Sequence, residues 1–337
     1  MMTASVAVLG GGAWGTAFAI HLAMRTHRRP RVALYVRSRS QARDLMASGE
    51  NRRYLPGVAL PPEIAVTSDL ADIRADVLFA ATPVAQLMAL RASLEQAGLS
   101  APLMTLAKGF VATSAPAQWG LPHERLADGW PHPVGIVSGP TFALEVAQGL
   151  PTALVVASTD AALTADVAGL LRGDALRAYP SDDLAGVEVG GAVKNVLAIA
   201  AGASDGLSFG DNARAALITR GLAESGRLSA ALGGRRETLM GLAGLGDLVL
   251  TCTGNLSRNR QVGLALSRGQ ALAAILAGIG HVAEGVVATR AARALALHHG
   301  VDMPIVEAVH RVLAEGVAPA RAVEDLLRRE PRGEREP

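Results

Sequence analysis

A glycine-rich stretch near the amino terminus constrains the fold more than any other feature of the sequence. Four apolar residues, Val6–Leu9, lead directly into the run GGGAWG at positions 10–15, and a helical pattern follows. The GxGxxG spacing places Gly10 at a tight turn, Gly12 where a pyrophosphate approaches the backbone, and Gly15 where helix packs on strand. The start of the helix adds unpaired N–H groups and partial positive charge. The segment therefore predicts a dinucleotide-binding turn, with a purely structural glycine-rich turn as the alternative.

Short apolar runs separated by helical stretches fill the first half of the chain. Strands that alternate with helices predict an α/β fold with a mostly parallel, doubly wound sheet of the Rossmann type. The predicted strands are Val6–Leu9, Val32–Val36, Val77–Ala80, Leu103–Leu106, Val134–Val137 and Ala153–Ala157.

From about Val187 onward, strand patterns give way to helical periodicity rich in Ala, Leu and Gly, as in Ala213–Leu232 and Pro304–Ala314. We therefore expect a second, all-helical domain. The predicted division is a dinucleotide-binding domain over residues 1–186, a helical substrate-binding domain over residues 187–327, and a disordered tail over residues 328–337, which are mostly Arg, Glu, Pro and Gly.

Composition argues against several classes of protein. The chain of 337 residues carries 32 basic and 30 acidic side chains, and this near balance lacks the excess of cations that nucleic-acid binding needs. The single Cys252 fits a reducing compartment. The longest apolar run, residues 189–204, is interrupted by Lys194 and Asn195. We expect a cytoplasmic protein without nucleic-acid partner, stable membrane insertion or metal, since the histidines show no ligand spacing.

The end of the second predicted strand bears on which dinucleotide is bound. Val36 is followed by Arg37, Ser38 and Arg39, where NAD-binding proteins carry a carboxylate for the ribose hydroxyls. A guanidinium there suits a 2′-phosphate, so we expect NADPH to be preferred, with NADH as a second cofactor. The alternative is that Arg37 and Arg39 are solvated loop cations.

Three later segments carry the residue types that chemistry needs. Lys108 follows a buried strand, at the sheet edge where ligands of doubly wound folds bind. Lys194 and Asn195 lie within an apolar run at the predicted domain boundary. Further on come Asp247 and then the group Ser257-Arg258-Asn259, which opens a predicted helix. Helix amides, the helix dipole and a guanidinium together favour a phosphate at that helix start.

Together these segments resemble a known family, the soluble bacterial NAD(P)-dependent glycerol-3-phosphate dehydrogenases. The resemblance runs from about residue 5 to residue 325 and rests on Gly10–Thr16, Lys108-Gly109, Ser138–Ala143, Gly190–Asn195, Gly241–Thr253, Ser257–Arg260 and Glu284-Gly285. It implies a Rossmann-type domain followed by a helical one. It also implies the interconversion of dihydroxyacetone phosphate and sn-glycerol 3-phosphate, at the entrance to phospholipid synthesis.

The resemblance also implies roles for individual residues. Lys194 would accept or donate the proton, Lys108 would contact both substrate and cofactor, and Asp247 would complete the catalytic set. Substrate contacts would fall at Lys108, Gly139, Thr141, Lys194, Asn195, Asp247, Ser257, Arg258 and Asn259. Cofactor contacts would fall at Gly10, Gly12, Ala13, Trp14, Gly15, Arg37, Lys108, Ala143, Arg258, Val282 and Glu284. An alternative for Asp247 is a simple helix cap.

Three positions depart from the usual pattern of this family. Gly11 stands where alanine is commoner, Ala13 where serine is commoner, and Phe110 where leucine is commoner. The required glycines and lysines are intact, so none of these departures affects the expected chemistry.

The scarcity of lysine in the chain supports the assignment of Lys108 and Lys194 to the active site. Of the 32 basic side chains only Lys108 and Lys194 are lysines, and a random draw would give this pair about once in 500. Reduction of a ketone needs a hydride on carbon and a proton on oxygen. A lysine can exchange that proton when its surroundings bring its pKa toward neutrality, whereas arginine stays protonated. We therefore expect lysine to persist where a proton moves.

Two other functions remain open from the sequence. Another two-domain dehydrogenase, such as a hydroxyacid or ketopantoate reductase, is disfavoured because Ser257-Arg258-Asn259 is suited to phosphate. A regulatory protein that senses NADPH without turnover is disfavoured because it would not need Lys108, Lys194 and Asp247 together. The sequence also leaves a homodimer open.

Overall fold

The structure is a computed structural model that describes residues 5–25, 29–114, 117–279 and 284–328. The chain forms two compact units, each built from two segments. The first unit comprises Met1–Lys108 and Pro122–Leu184, and the second comprises Gly109–Leu121 and Ala185–Pro337.

The first unit contains an eight-stranded sheet. Its strands are β1 Ser5–Leu9, β2 Arg31–Tyr35, β3 Ile64–Thr67, β4 Val77–Ala80, β5 Leu103–Thr105, β8 Val134–Ser138, β9 Thr152–Ser158 and β10 Leu176–Ser181. Their order in the sheet is β10-β9-β8-β5-β4-β1-β2-β3. All neighbours pair in parallel except β8 and β9, which are antiparallel. The carboxyl ends of six parallel strands therefore lie at one edge of the sheet, where the polar segments that follow them collect.

Helices accompany these strands and bury their apolar faces on the sheet. They are α1 Ala13–Ala23, α2 Arg39–Ser48, α3 Leu87–Gln96, α4 Pro122–Ala127, α5 Ala143–Ala147 and α6 Ala161–Leu171. Val, Leu and Ala make up most of the core, and the ring of Phe18 in α1 packs at a tilt against that of Phe79 in β4, with ring centroids 4.9 Å apart. A core of small aliphatic side chains fits a chain with only 3% aromatic residues.

The second unit is helical apart from one small hairpin, β6 Val111–Ala112 with β7 Trp119–Gly120. Its helices are α7 Leu184–Gly206, α8 Gly210–Ala231, α9 Asp247–Thr253, α10 Arg258–Ser267, α11 Leu272–Ile279, α12 Glu284–His298, α13 Pro304–Ala314 and α14 Pro319–Leu327. A single π-helical turn, Leu242–Gly246, leads directly into α9.

Helix α7 is the centre of the second unit's core. Among the described helices it alone is long and apolar enough to cross a membrane, but 78% of the relevant window is buried inside the protein. Helix α10 lies directly against it, since a Cβ on Gly202 of α7 would come within 1.9 Å of the Arg260 carbonyl oxygen. Burial by neighbouring helices explains the hydrophobicity of α7, which is a core helix of this unit.

The α/β fold class with a second helical region is confirmed, whereas several details differ from the sequence-based expectation. Strands β3 and β10 were not predicted. The segment Gly109–Leu121 interrupts the first unit and joins the second, where Phe110 and Leu121 are buried in the helical core. The predicted division at residue 187 therefore differs from the observed one at Leu184, and it omits this segment. Residues 329–337 of the expected disordered tail lie outside the described residues.

Candidate active site

The glycine-rich turn adopts the strand–turn–helix geometry that its sequence predicts. Gly10 follows β1 with φ +132°, and Gly12 is the N-cap of α1. A Cβ on Gly15 would lie 2.0 Å from the Gly10 carbonyl oxygen, so only glycine lets the helix approach the strand this closely. A Cβ on Gly12 would meet nothing within 4 Å. Packing requires glycine at position 15, whereas the space beside Gly12 is open and suits an approaching ligand.

Buried polar atoms without a hydrogen-bond partner collect at the same edge of the sheet. In the described part of the chain they include Trp14 Nε1 in the first turn of α1, Thr82 Oγ1 after β4 and Ser138 Oγ at the end of β8. Unsatisfied buried polar groups are rare and call for an explanation. A polar ligand at this edge would satisfy them, so the residues present fit a bound dinucleotide.

Lys108 lies three residues beyond β5 at the carboxyl edge of the sheet. Its Nζ donates to the Gly139 carbonyl oxygen at 2.8 Å, and Thr141 Oγ1 lies 3.5 Å away. Gly139 adopts φ +138°, and a Cβ there would lie 2.9 Å from Leu154 Cα. The structure thus brings Lys108, Gly139 and Thr141 together, and Ala143 opens α5 two residues later.

Arg37 lies just beyond β2, on the exposed turn that precedes α2. Ser38 caps this helix by accepting a hydrogen bond from the Gln41 amide. An exposed guanidinium at the carboxyl end of the second strand is where a ribose 2′-phosphate would be recognised.

In the second unit, Lys194 is buried in the middle of α7 beside a carboxylate. Its Nζ donates to Asp247 Oδ1 at 2.5 Å and to Thr251 Oγ1 at 3.1 Å. Both Lys194 and Asp247 are buried, with 9% and 1% of their surface exposed. A buried ammonium is costly without a partner, and here the carboxylate stabilises it electrostatically. Asp247 is therefore the ion-pair partner of Lys194 and more than a helix cap.

The local sequence explains how these groups meet. Gly190 and Lys194 lie four residues apart and share one face of α7. A Cβ on Gly190 would lie 2.5 Å from the Ala243 carbonyl oxygen, so glycine lets the π-helical turn contact α7 directly. Asp247 begins α9 immediately after that turn, and Thr251 follows one helical turn later on the same face. Single π-helical turns of this kind are frequent at functional sites.

A short chain of amides fixes the orientation of Asn195. The Gly285 amide donates to Asn259 Oδ1 at 3.1 Å, which leaves Asn259 Nδ2 to donate to Asn195 Oδ1 at 2.9 Å. Because a backbone N–H is only a donor, this order sets both side-chain amides. Asn195 Nδ2 is buried without a hydrogen-bond partner among the described residues, and a polar ligand in contact with it would satisfy this donor.

The group Ser257-Arg258-Asn259 lies at the amino end of α10, as its sequence predicts. Ser257 is the N-cap and accepts from the Arg260 amide at 3.3 Å, and Arg258 is exposed. Arg260 is tied to Asp205 of α7 through Nε at 2.8 Å and Nη2 at 2.7 Å. The helix start is therefore fixed to the helix that carries Lys194.

Cys252 is fully buried in this unit, and burial raises the pKa of its thiol to about 12. A thiol in this state is not a nucleophile. No group of three or more His, Cys, Asp or Glu side chains in the described residues could hold a metal ion.

The predicted site residues thus fall into two groups, one on each unit. The first unit carries Gly10, Gly12, Ala13, Trp14, Gly15, Arg37, Lys108, Gly139, Thr141 and Ala143. The second unit carries Lys194, Asn195, Asp247, Ser257, Arg258, Asn259 and Glu284. Glu284 is the first residue of α12, and Val282 lies outside the described residues. Thr251, which contacts Lys194, was not among the predicted site residues, although its i,i+4 spacing from Asp247 was a usable signal.

A glycine turn at the edge of a doubly wound sheet, together with a buried lysine–carboxylate pair in a helical unit, defines a dinucleotide-dependent dehydrogenase. Two family models match the chain. The N-terminal model of the NAD-dependent glycerol-3-phosphate dehydrogenases matches residues 5–164, and the C-terminal model matches residues 183–324. The chain belongs to this family.

Individual relatives agree with the family models. The chain is 50% identical over 334 residues to glycerol-3-phosphate dehydrogenase [NAD(P)+] of Nitrosomonas europaea, covering 98% of this chain and 99% of the relative. It is 52% identical over 338 residues to the enzyme of the same name from Methylibium petroleiphilum, covering 98% of each. The crystal structure of glycerol-3-phosphate dehydrogenase from Coxiella burnetii matches with a TM-score of 0.90 at 40% identity, covering 97% of this chain and 99% of that one.

The geometry of the glycine turn separates two roles that substitution can test. Gly12→Ala adds a methyl group in open space, so thermal stability should be kept while the Kd for NADPH rises about tenfold or more. Gly15→Ala forces the added methyl against the Gly10 carbonyl and should lower stability by on the order of 1–3 kcal/mol. Thermal melts and calorimetric titration with NADPH measure both effects.

Gly169→Ala is the matched control, because this exposed glycine of α6 has open space around its Cβ. It should raise stability by about 0.5–1 kcal/mol and leave NADPH binding unchanged. Unchanged NADPH affinity in Gly12→Ala would contradict the placement of the dinucleotide beside this turn.

Proposed function

We propose that this chain interconverts dihydroxyacetone phosphate and sn-glycerol 3-phosphate, with Lys194 as the group that moves the proton. The observation that carries the proposal is the buried pair of Lys194 and Asp247 in a member of the glycerol-3-phosphate dehydrogenase family. The product would supply phospholipid synthesis with its glycerol backbone.

Lys194 suits the proton step because of its chemistry and its fixed position. When bound, the nicotinamide supplies a hydride to the carbonyl carbon. The Lys194 ammonium then donates a proton to the carbonyl oxygen, and in the oxidation the neutral amine takes it back. Asp247 and Thr251 each accept a hydrogen bond from Lys194 Nζ, which holds the nitrogen in one place. An arginine here could stabilise charge but could not exchange the proton.

The amino end of α10 supports recognition of the phosphate group. The Ser257 hydroxyl uses an acceptor site for its cap and keeps its O–H as a donor. Arg258 adds a guanidinium fork beside the helix start, where the dipole favours an anion. Asn259 uses its amide on Asn195 and Gly285, so we assign it the positioning of Asn195 in addition to the substrate contact that the sequence indicates.

The first unit would hold the cofactor, and Lys108 would contact both ligands. Gly12 and the first turn of α1 suit the pyrophosphate, and Trp14 Nε1 is a buried donor without a partner among the described residues. Lys108 is held by Gly139 and Thr141, so the three residues for which the family resemblance implies substrate contacts lie together. Its ammonium would stabilise negative charge on substrate and cofactor.

We also infer that NADPH is preferred over NADH, that the enzyme acts in the cytoplasm, and that it works without nucleic acid or metal. The exposed Arg37 beyond β2 supports the preference for NADPH. The single, buried Cys252 supports a reducing compartment. A homodimer stays a prediction.

Substrate choice tests the proposed function directly. With NADPH present, the purified chain should reduce dihydroxyacetone phosphate with a kcat/KM about 100-fold or more above that for unphosphorylated dihydroxyacetone, since two charge-assisted hydrogen bonds are lost without the phosphate. The loss of the absorbance band of the reduced nicotinamide measures the rate of NADPH consumption. Equal rates on the two ketones would contradict phosphate recognition, and binding of NADPH without turnover would support a sensor instead.

Cofactor preference is tested at position 37. Arg37→Ala should raise the KM for NADPH by about 10- to 100-fold, because a charge-assisted contact to the 2′-phosphate is lost, while the KM for NADH changes little. Arg43→Ala, which removes another exposed arginine from the same helix region, is the control and should leave both KM values unchanged. An equal rise for NADPH and NADH in Arg37→Ala would show that Arg37 does not recognise the 2′-phosphate.

A further inference from the structure

Two side-chain amides from a neighbouring segment hold the backbone of the glycine-rich turn. Gln41 Nε2 donates to the Gly11 carbonyl oxygen at 2.7 Å, and Asn51 Nδ2 donates to the same oxygen at 3.0 Å. Asn51 Nδ2 also lies 2.7 Å from Thr16 Oγ1 in the first turn of α1. Asn51 is 3% exposed and its Oδ1 accepts from the Tyr54 amide at 3.3 Å, so this side chain is fixed at both ends.

The direction of the Gly11 carbonyl decides where the next amide points. In a trans peptide the C=O of one residue and the N–H of the next point in opposite directions. The described chain contains no cis peptide bond. Because Gln41 and Asn51 hold the Gly11 oxygen on their side, the Gly12 N–H points away from them. The Gly12 amide thus lies on the side of the peptide that Gln41 and Asn51 do not occupy. The space beside the Gly12 Cα is also open, since a Cβ there would meet nothing within 4 Å.

Gly11 itself makes this arrangement possible in the chain. A Cβ at position 11 would lie 2.2 Å from Val36 Cγ1 and 3.0 Å from Gln41 Nε2. A methyl group at this position would push Val36 and the Gln41 amide away. Gly11, the middle glycine of the run, and the hydrogen bond from Gln41 therefore form one structural feature.

We propose that Gln41 and Asn51 are positioning residues for the dinucleotide, which together fix the Gly11–Gly12 peptide so that its N–H meets the pyrophosphate. The pair of residues acts on binding of the cofactor and not on the proton step. Since the pyrophosphate is common to NADPH and NADH, loss of either side-chain amide should weaken the binding of both cofactors equally. Loss of Arg37, which would contact only the 2′-phosphate, should weaken the binding of NADPH alone. The inference rests on the proposed function only in taking the ligand to be a dinucleotide.

Gln41→Met tests the proposal, because it keeps the length of a half-buried side chain and removes the N–H donor. The Kd values for NADPH and NADH, measured by titration calorimetry, should both rise about 3- to 10-fold, the effect of one hydrogen bond. The ratio of the two Kd values, the melting temperature of the free protein and the KM for dihydroxyacetone phosphate at saturating NADPH should stay as in the unmodified chain. Gln96→Met, on an exposed position of α3, is the matched control and should change none of these values.

Asn51→Asp provides the second variant, since it keeps the shape of the side chain and places an acceptor against the Gly11 carbonyl. It should weaken both cofactors more than Gln41→Met does. If Asn51→Asp fails to fold, the Kd values of Gln41→Met alone test the proposal. Unchanged Kd values in Gln41→Met would overturn the proposal, and so would a rise for NADPH only, which would place Gln41 at the 2′-phosphate.

The readout also separates this proposal from the proposed function. Binding of NADPH and NADH is measured without the ketone, so a chain that binds both but does not reduce dihydroxyacetone phosphate would contradict the function and still test the two amides. A chain that binds neither dinucleotide would overturn the positioning role as well.

Discussion

The burial of one ammonium group inside a helical core is the constraint on which the second unit depends. Removing an unpaired charge from water costs several kcal/mol, so Lys194 needs a carboxylate at contact distance. Asp247 provides it at 2.5 Å, and Thr251 adds a second acceptor from the same helix. Gly190 is needed for the same reason, because a side chain there would push the π-helical turn, and Asp247 with it, away from α7. An apolar pair would be cheaper to bury, so retention of this ion pair fits a chemical role more readily than a structural one.

The first unit solves a different problem, which is the presentation of backbone amides to an anion. Its sheet collects the ends of parallel strands at one edge, and α1 begins there at Gly12 without a side-chain cap on its first amides. Hydrogen bonds from Gln41 and Asn51 on the opposite side hold the Gly11 carbonyl, so the direction of the next amide is set before a ligand arrives. Such preorganisation lowers the entropic cost of binding.

Features with a local cause were predictable from the sequence. Helix α13 begins and ends where its pattern places it, with Pro304 at the first helical position. The Ser257 cap and the glycine turn after β1 also follow local rules. Strand β10 was missed because it lies at an edge of the sheet, where Pro180 and the exposed Arg177 are tolerated and no continuous apolar run is needed. Strand β3, the other edge strand, was missed because only Ile64 of its four residues is buried, so its apolar pattern is weak.

Contacts between distant segments were not predictable in the same way. The spacing of Phe110, Ala117 and Leu121 does not reveal that these core side chains of Gly109–Leu121 pack with α7 and not with the sheet. The role of Thr251 and the hydrogen bonds from Gln41 and Asn51 depend on contacts that only the folded chain creates. The two lysines were an exception, because their scarcity among arginines marked them without any contact being known.

If Lys194 moves the proton, replacing it with arginine should remove the proton step and keep the charge. Arginine keeps the positive charge beside Asp247 but does not exchange a proton in the working pH range. With dihydroxyacetone phosphate and NADPH at saturation, kcat should fall about 10²- to 10⁴-fold, while the Kd for NADPH and the melting temperature stay close to those of the unmodified chain. A variant that keeps near-full kcat would show that Lys194 supplies charge only, and would contradict its role in proton transfer.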